Sequence, residues 1–188
     1  MPCDPNQVYQ PEADTYLLLG SAMNEVRPDD RVIEIGTGSG LIASQLALRA
    51  RVLATDINPH AVRTARGWGA EVVRTDLFAG LRGPFDLVIF NPPYLPTQPE
   101  ERIDDWLEYA LDGGASGRDV IARFAGDVGR ILAPDGRILL LVSELTGLEA
   151  VMDLFSARGF TGIIVAEADA EGEMLYVLKF FRAESGDP

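Results

Sequence analysis

Glu34-Ile-Gly-Thr-Gly-Ser-Gly40 is the stretch of this sequence that decides the fold. It follows a short run rich in β-branched residues, 31–35, that predicts a strand, and it precedes a helical pattern over 40–49. Three alternating glycines let the chain turn sharply out of a strand and let a ligand approach the backbone closely. A purely structural loop would also explain such a turn taken alone. The spacing is not the G-x-G-x-x-G dinucleotide fingerprint, which disfavours NAD as the ligand.

Strand and helix patterns alternate outward from this turn. Strands are predicted at 31–35, 51–55, 71–74, 86–90, 137–142, 162–167 and 174–181, and helices at 12–25, 40–49, 59–67, 118–132 and 145–157. This alternation indicates an α/β fold with a parallel, doubly wound sheet. No helix pattern separates the last two strands, which predicts a terminal hairpin. A turn is expected at 134–136, and a long polar stretch, 91–117, interrupts the alternation.

Composition limits the classes of function. The length of 188 residues, of which 47% are hydrophobic, suits one core domain, 31–182, with an N-terminal segment and helix, 1–30, packed on it and a tail, 183–188. The net charge of −13, with no cluster of Lys and Arg, argues against direct nucleic-acid binding. No apolar run approaches the ~20 residues that span a bilayer, so we expect a cytoplasmic protein with no membrane contact. With Cys3 and His60 alone of their types, we predict no metal site.

Two aspartates end the strands that follow the glycine turn. Asp56 ends the second strand, where its carboxylate can accept hydrogen bonds from ribose hydroxyls. Asp76 follows the third strand and can accept from the exocyclic amine of adenine, with Leu77 against the ring. Helix capping by Asp56 and a simple turn at Asp76 are the alternatives. Together with the glycines, these residues predict a nucleoside-containing cofactor.

The glycine turn and the two aspartates resemble those of class I S-adenosylmethionine-dependent methyltransferases. That resemblance implies a Rossmann-like fold with a seven-stranded, mostly parallel sheet in the order 3-2-1-4-5-7-6. It also implies S-adenosyl-L-methionine as cofactor and S-adenosyl-L-homocysteine as product. The residues it places around the cofactor are Thr15, Glu34, Gly36, Gly38, Gly40, Asp56, Ile57, Asp76, Leu77 and Asn91.

Asn91-Pro92-Pro93-Tyr94 follows the strand predicted at 86–90 and supplies the candidate catalytic and substrate-binding residues. The Asn91 amide oxygen and a neighbouring carbonyl can both accept from an N–H₂ group, because the prolines leave carbonyls without local N–H partners. Tyr94 can stack on the planar group that carries this nitrogen. Such nitrogens are poor nucleophiles, so most of the rate enhancement would come from positioning. A rigid turn with no catalytic role is the alternative for this tetrapeptide.

The segment Val8-Tyr-Gln-Pro-Glu-Ala-Asp-Thr-Tyr-Leu-Leu-Leu19 resembles the opening of HemK/PrmC-like glutamine N5-methyltransferases of the short archaeal and eukaryotic branch. That branch typically has V-Y-x-P-x-x-D-T-x-L-L-L. The resemblance places Thr15 at the methionine end of the cofactor and Tyr9 at the substrate entrance. Glu12 precedes Ala13, the reverse of the usual order, so the resemblance assigns Glu12 no role. Residues 110–119 resemble the glycine segment that follows the NPPY motif in the same family.

The resemblance implies a substrate and a partner. The substrate would be the glutamine of the Gly-Gly-Gln motif in a class I peptide chain release factor. The partner would be a small zinc-binding activator subunit that forms a heterodimer through the edge strand near Val72 and Val73. An apolar edge strand is a liability that such a partner would cover.

Three other functions remain open at this stage. An adenine or guanine N-methyltransferase acting on RNA or DNA would share the NPPY motif, although the acidic charge argues against it. A protein lysine N-methyltransferase is possible, but a flexible cationic amine fits a planar slot less well. A non-catalytic, methyltransferase-like partner subunit is the third alternative.

Overall fold

A computed structural model describes residues 4–98 and 105–183 of the chain. One seven-stranded sheet runs in the order β3-β2-β1-β4-β5-β7-β6. Its strands are β1 (Arg31–Ile35), β2 (Arg51–Asp56), β3 (Val72–Arg74), β4 (Phe85–Phe90), β5 (Leu132–Ser143), β6 (Phe160–Ala170) and β7 (Glu173–Arg182). The first five strands are parallel, and β7 is antiparallel to both β5 and β6. The predicted doubly wound sheet, its strand order and its terminal hairpin are confirmed.

Five helices cover the two faces of the sheet. They are α1 (Ala13–Glu25), α2 (Leu41–Leu46), α3 (Pro59–Gly67), α4 (Asp119–Asp127) and α5 (Leu148–Ser156). On one face, Leu18 of α1 and Leu46 of α2 pack against β-strand side chains such as Leu139. On the other face, Phe155 of α5 stacks on Phe180 of β7 at 3.9 Å between ring centroids. In the described ranges 4–98 and 105–183, no helix is long and apolar enough to cross a membrane.

Several predicted element boundaries were wrong. The turn expected at 134–136 lies inside β5, whose pairing with β4 shifts register between Phe85 and Leu87. Turn-forming residues are tolerated there because a bulge accommodates extra residues within a strand. The helix expected from 145 begins at Leu148, since Gly147 has a φ of 75° and interrupts the helical backbone. The helices expected over 40–49 and 118–132 are shorter, ending at Leu46 and Asp127.

Strand β3 is an edge of the sheet, as expected, and pairs only with β2 in the described part of the chain. Its two valines face opposite ways. Val72 is buried in a cluster with α2 and α3, whereas Val73 is 40% exposed. Successive strand residues point to opposite faces, so Val73 is the valine whose side chain lies at the surface, and the interface near Val72 and Val73 stays a prediction. Trp68, at the end of α3, adds a second exposed apolar side chain nearby.

A buried arginine anchors α1 to the sheet at the end opposite the candidate site. Arg137 of β5 is 4% exposed, and its guanidinium donates to Asp30 at 2.6 Å, to the Asp86 carbonyl at 3.0 Å and to Glu25 at the end of α1. Burial disfavours the Asp30 anion, but hydrogen bonds from Arg137 and the Arg27 N–H outweigh it, so the pKa of Asp30 is lowered. This anchor holds the helix whose first turn carries candidate site residues.

Candidate active site

A cavity of about 600 Å³ lies beyond the carboxyl ends of the parallel strands. Ligands in open α/β sheets bind at this edge, and the volume suits a nucleoside-sized ligand together with an acceptor group. The lining includes thirteen residues that were predicted from the sequence and three further polar residues that were not. The predicted residues are Tyr9, Thr15, Glu34, Gly36, Gly38, Asp56, Ile57, Asp76, Leu77, Asn91, Pro92, Pro93 and Tyr94, and the others are Asp14, Arg123 and Glu173.

Gly40 is the predicted cofactor residue that does not line the cavity. Its φ is +84°, and an added Cβ would lie 2.7 Å from the Cα of Ala65 in α3. Gly40 is therefore required for close packing of the turn against α3, because a left-handed backbone and a close helix contact each exclude a side chain. The cofactor-binding role expected for it stays a prediction.

Glu34 ties the glycine turn to the start of α2. Its Oε2 accepts from the Thr37 hydroxyl at 2.6 Å and from the Ala43 N–H at 3.0 Å. Burial raises the pKa of Glu34 to about 8, and the nearby Asp56 charge adds to the rise, although both hydrogen bonds oppose it. A cationic ligand in the cavity would favour the ionised form of this carboxyl.

Asp56 closes the other side of the glycine turn. One carboxylate oxygen accepts from the Gly38 N–H at 2.9 Å and the other from the Asn58 N–H at 2.8 Å. Burial raises its pKa despite these bonds. Each oxygen keeps a further lone pair for a ligand hydroxyl. Helix capping does not explain Asp56, because Asn58 caps α3 by accepting from the His60 N–H.

Asp76 is not a free acceptor. Arg123 of α4 donates to its Oδ2 at 2.6 Å, in an ion pair whose two side chains are roughly half exposed. Leu77 beside it adopts a φ of 46°. Arg123 was not predicted as a site residue, since nothing local to α4 distinguishes this arginine from a solvent-facing one. An adenine amine at this place would meet an aspartate already held in position by a cation.

Asp14 sets the orientation of the Asn91 amide. Its Oδ2 accepts from Asn91 Nδ2 at 2.9 Å and from the Tyr9 hydroxyl at 3.0 Å, and its Oδ1 accepts from the Thr15 hydroxyl at 3.1 Å. With Nδ2 directed to Asp14, Asn91 Oδ1 is left buried and without a partner among the described residues. A buried unpaired acceptor is costly unless a ligand supplies the donor. Asp14 was not predicted as a site residue, although it is the D of the V-Y-x-P-x-x-D-T pattern.

Tyr9 and Tyr94 of the site remain phenols. Burial, then the negative charge of Asp14, raises the pKa of Tyr9 above its usual range. Burial again acts first on Tyr94, followed by the charges of Asp14, Glu173 and Glu12, and its pKa is also raised. Neither phenol can therefore act as a base near neutral pH.

The glycine segment, residues 110–119, lies directly behind the NPPY loop. The Gly113 N–H donates to the Leu95 carbonyl at 3.0 Å, and the Thr97 N–H donates to the Gly114 carbonyl at 3.1 Å. Gly117 has a φ of +70°, and an added Cβ would collide with the Tyr94 carbonyl oxygen. This segment therefore supports the backbone that carries the candidate catalytic residues.

Two segments that contribute to the cavity lining are joined by hydrogen bonds. The Gln7 side-chain oxygen accepts from the Trp106 N–H at 2.9 Å, and Asn58 Nδ2 donates to the Gln7 carbonyl at 2.6 Å. The Arg74 guanidinium lies 5.3 Å from the centre of the Trp106 ring. The N-terminal segment and residues 105–111 are thus joined through Asn58, next to Asp56. In the described ranges no group of three His, Cys, Asp or Glu side chains could hold a metal ion.

Comparisons with known proteins agree with this geometry. Residues 12–104 match the family described as methyltransferase small domain. A putative protein N5-glutamine methyltransferase of Methanocaldococcus jannaschii is 35% identical, over 94% of this chain and 92% of that protein. The methyltransferase HEMK2 of Mus musculus is 36% identical, over 94% of this chain and 90% of that protein.

A solved structure with the same fold comes from the E. cuniculi Mtq2–Trm112 complex, described as responsible for methylation of the translation termination factor eRF1. It has a TM-score of 0.80 and 32% identity, and the match covers 94% of this chain and 99% of that chain.

Proposed function

Because this chain belongs to the HemK-like family of protein-glutamine N5-methyltransferases, we propose that it methylates the side-chain amide of a glutamine in a class I peptide chain release factor. The target is the glutamine of the Gly-Gly-Gln motif, and the methyl donor is S-adenosyl-L-methionine. One observation carries the proposal. The buried Asn91 Oδ1 has no partner among the described residues and lies on the wall of the cavity, where an N–H donor must meet it.

The residues on the β1 and β2 side of the cavity suit this cofactor. The Asp56 oxygens can accept from ribose hydroxyls, and buried Glu34 provides a carboxyl whose ionised form a cationic ligand would favour. Thr15, Ile57 and Leu77 add further lining on this side. When bound, the cofactor supplies an electrophilic methyl group on a sulfonium.

The residues on the β4 side act by positioning. Asn91 Oδ1 accepts one N–H of the target amide, which fixes the plane of the amide and polarises its nitrogen. Pro92 and Pro93 hold the loop rigid, and Tyr94 packs against the planar group. Tyr9 and Tyr94 stay protonated, so neither accepts the proton that the amide nitrogen loses on methylation, and this proton leaves to solvent. Positioning at a fixed distance supplies most of the rate enhancement.

The direct test is Asn91→Ala. We expect methyl transfer to fall by about 100-fold or more, as for loss of one preorganised polar group in an active site. Cofactor affinity, measured by calorimetry, should change little. Asn24→Ala, at an exposed position on α1, is the matched control. Unchanged turnover in Asn91→Ala would remove the basis of the proposal.

The substrate is tested by mapping the label. The chain is incubated with isotopically labelled cofactor and either the release factor or tRNA, with and without an activator subunit, and mass spectrometry locates the methyl group. Label on the release-factor glutamine supports the proposal. Label on a lysine, on a nucleobase, or on nothing would instead favour one of the three other functions. The intact cavity argues against a non-catalytic role, and the net charge of −13 argues against nucleic acid.

We also propose a heterodimer with a small zinc-binding activator, formed at the free edge of β3. The edge leaves backbone groups unpaired, and Val73 and Trp68 expose apolar surface beside it at 40% and 71%. Val73→Asp should prevent co-elution with the activator in size-exclusion chromatography. Ile163→Asp, on the opposite edge strand β6, is the control and should leave the complex intact. A complex that survives Val73→Asp would place the interface elsewhere. We place the enzyme in the cytoplasm, where translation termination occurs.

A further inference from the structure

We infer that Glu173 positions the protein substrate: its Oε1 accepts a hydrogen bond from a main-chain N–H of the segment that carries the target glutamine. This inference rests on the proposed function and names a second contact between the site and that same substrate.

The position of Glu173 in the sheet places it on the acceptor side of the cavity. It is the first residue of β7, and β7 pairs with β5 on the far side of β4 from β1 and β2. The residues proposed to hold the cofactor follow β1, β2 and β3, whereas Asn91 follows β4. Because β7 runs antiparallel to β5, its start lies at the carboxyl edge, where Leu175 pairs with Ser143. Glu173 therefore reaches the cavity beyond Asn91, away from the proposed cofactor residues.

The Glu173 side chain has an unmet requirement for a donor. Its Oε1 is fully buried and has no hydrogen-bond partner within residues 4–98 and 105–183. The other buried side-chain atom of this kind in those ranges is Asn91 Oδ1, and both residues line the same cavity. The Glu173 charge also raises the pKa of Tyr94, which places the carboxylate close to that ring. Buried acceptors without partners are rare in native proteins, and two in one cavity indicate that one ligand satisfies both.

The chemistry of the acceptor favours a main-chain donor. In the proposed mode the two N–H groups of the target amide are taken by Asn91 Oδ1 and by a neighbouring carbonyl. The donor for Glu173 must then come from elsewhere on the substrate, and the nearest groups are the peptide N–H groups that flank the glutamine. A lysine or arginine side chain of the substrate is a less suitable donor. Its charged group would lose more hydration at the buried Glu173 oxygen than at Glu12, which is exposed and lines the same cavity. An ionised carboxylate also binds a peptide N–H more strongly than a neutral acceptor does.

The first test compares Glu173→Ala and Glu173→Gln with wild type, using the intact release factor and the complex with its activator. Glu173→Ala should lower kcat/KM for the release factor about tenfold or more, the usual range for a lost hydrogen bond to a charged group. Most of the change should appear in KM, with cofactor affinity and melting temperature close to wild type. Glu173→Gln keeps a carbonyl acceptor of the same shape and should recover much of the loss. Glu167→Ala, an exposed acid on the same hairpin, removes the same charge and should have no effect.

The second test replaces single peptide N–H groups of the substrate with ester oxygens. In release-factor peptides that the wild type methylates, one ester flanking the glutamine should lower kcat/KM by about the same factor as Glu173→Ala. In Glu173→Ala the same ester should not lower kcat/KM any further, because the ester and the substitution remove the same hydrogen bond. Wild-type activity in Glu173→Ala on the intact factor, or additive losses in the double change, would overturn the inference alone. If the wild-type enzyme transfers the labelled methyl group to a different acceptor, the proposed function is overturned, and this inference with it.

Discussion

Replacing Asp14 with alanine tests whether this carboxylate sets the orientation of the Asn91 amide. Among the described residues, Asp14 Oδ2 accepts the hydrogen bond from Asn91 Nδ2 at 2.9 Å, so this contact decides which way the amide faces. Without it, the amide can rotate by half a turn and present Nδ2 where Oδ1 is required. The substrate N–H would then meet a donor in place of an acceptor.

The expected magnitude follows from the type of bond that is lost. A hydrogen bond to a charged group contributes about 1.5–3 kcal/mol, and each 1.4 kcal/mol is a factor of ten. We therefore expect kcat/KM for the release factor to fall by roughly 10- to 150-fold in Asp14→Ala. Asp14→Asn keeps one neutral acceptor, whose bond contributes about 0.5–1.5 kcal/mol, so the difference of about 1–1.5 kcal/mol should lower kcat/KM only roughly 5- to 13-fold.

The assay is methyl transfer from labelled cofactor, run well below the melting temperature because Asp14 also bonds Thr15 at the start of α1. Glu12→Ala is the control: it removes a nearby carboxylate that bonds Tyr9 at 3.4 Å and does not touch Asn91. Its activity should stay within about twofold of wild type. The reasoning is refuted if Asp14→Ala is as active as Glu12→Ala. It is also refuted if the whole loss appears as weaker cofactor binding, since Asp14 would then act on the cofactor and not on Asn91.

The remaining predictions concern stability, pH and backbone support. Burial raises the pKa of Glu34 in the folded protein to about 8, so the ligand-free protein should lose stability as pH rises from about 4.5 to 8. Glu34→Gln should remove this loss, and melting temperatures measured across the pH range would detect it. Arg137→Ala strands a buried carboxylate and should cost about 3–5 kcal/mol in urea unfolding. Arg130→Ala removes a half-exposed ion pair with Asp127 and hydrogen bonds to the Phe78 and Leu81 carbonyls, and it should cost clearly less; equal costs would contradict this reasoning. Gly117→Ala should displace the Tyr94 backbone and lower methyl transfer by about tenfold or more with cofactor affinity retained, so unchanged kinetics would show that the segment gives no support.

The local sequence pattern was enough to predict the architecture and the part of the site that the glycine turn, Asp56 and the NPPY motif form. The glycine turn, Asp56 and the NPPY motif each follow a strand, and the carboxyl ends of parallel strands share one edge of the sheet. Sequence position alone therefore brought these residues together around one cavity, as the structure has them. Tertiary contacts add what the local pattern does not show. The turn expected at 134–136 lies within β5, where a bulge pairs with β4, and Gly40 packs against α3.

The sequence by itself determined the order of strands and helices along the chain, the carboxylates proposed to hold the cofactor and the tetrapeptide proposed to hold the acceptor. These depend on hydrophobic period and on residues a few positions apart, which are readable without coordinates. Only the tertiary structure decided how the acceptor side is arranged. Asp14 meets Asn91 across 77 positions, and Arg123 meets Asp76 across 47. Glu173 joins them because an antiparallel strand returns it to the same edge. A hydrogen bond depends on distance and direction in space, and separation along the chain sets neither.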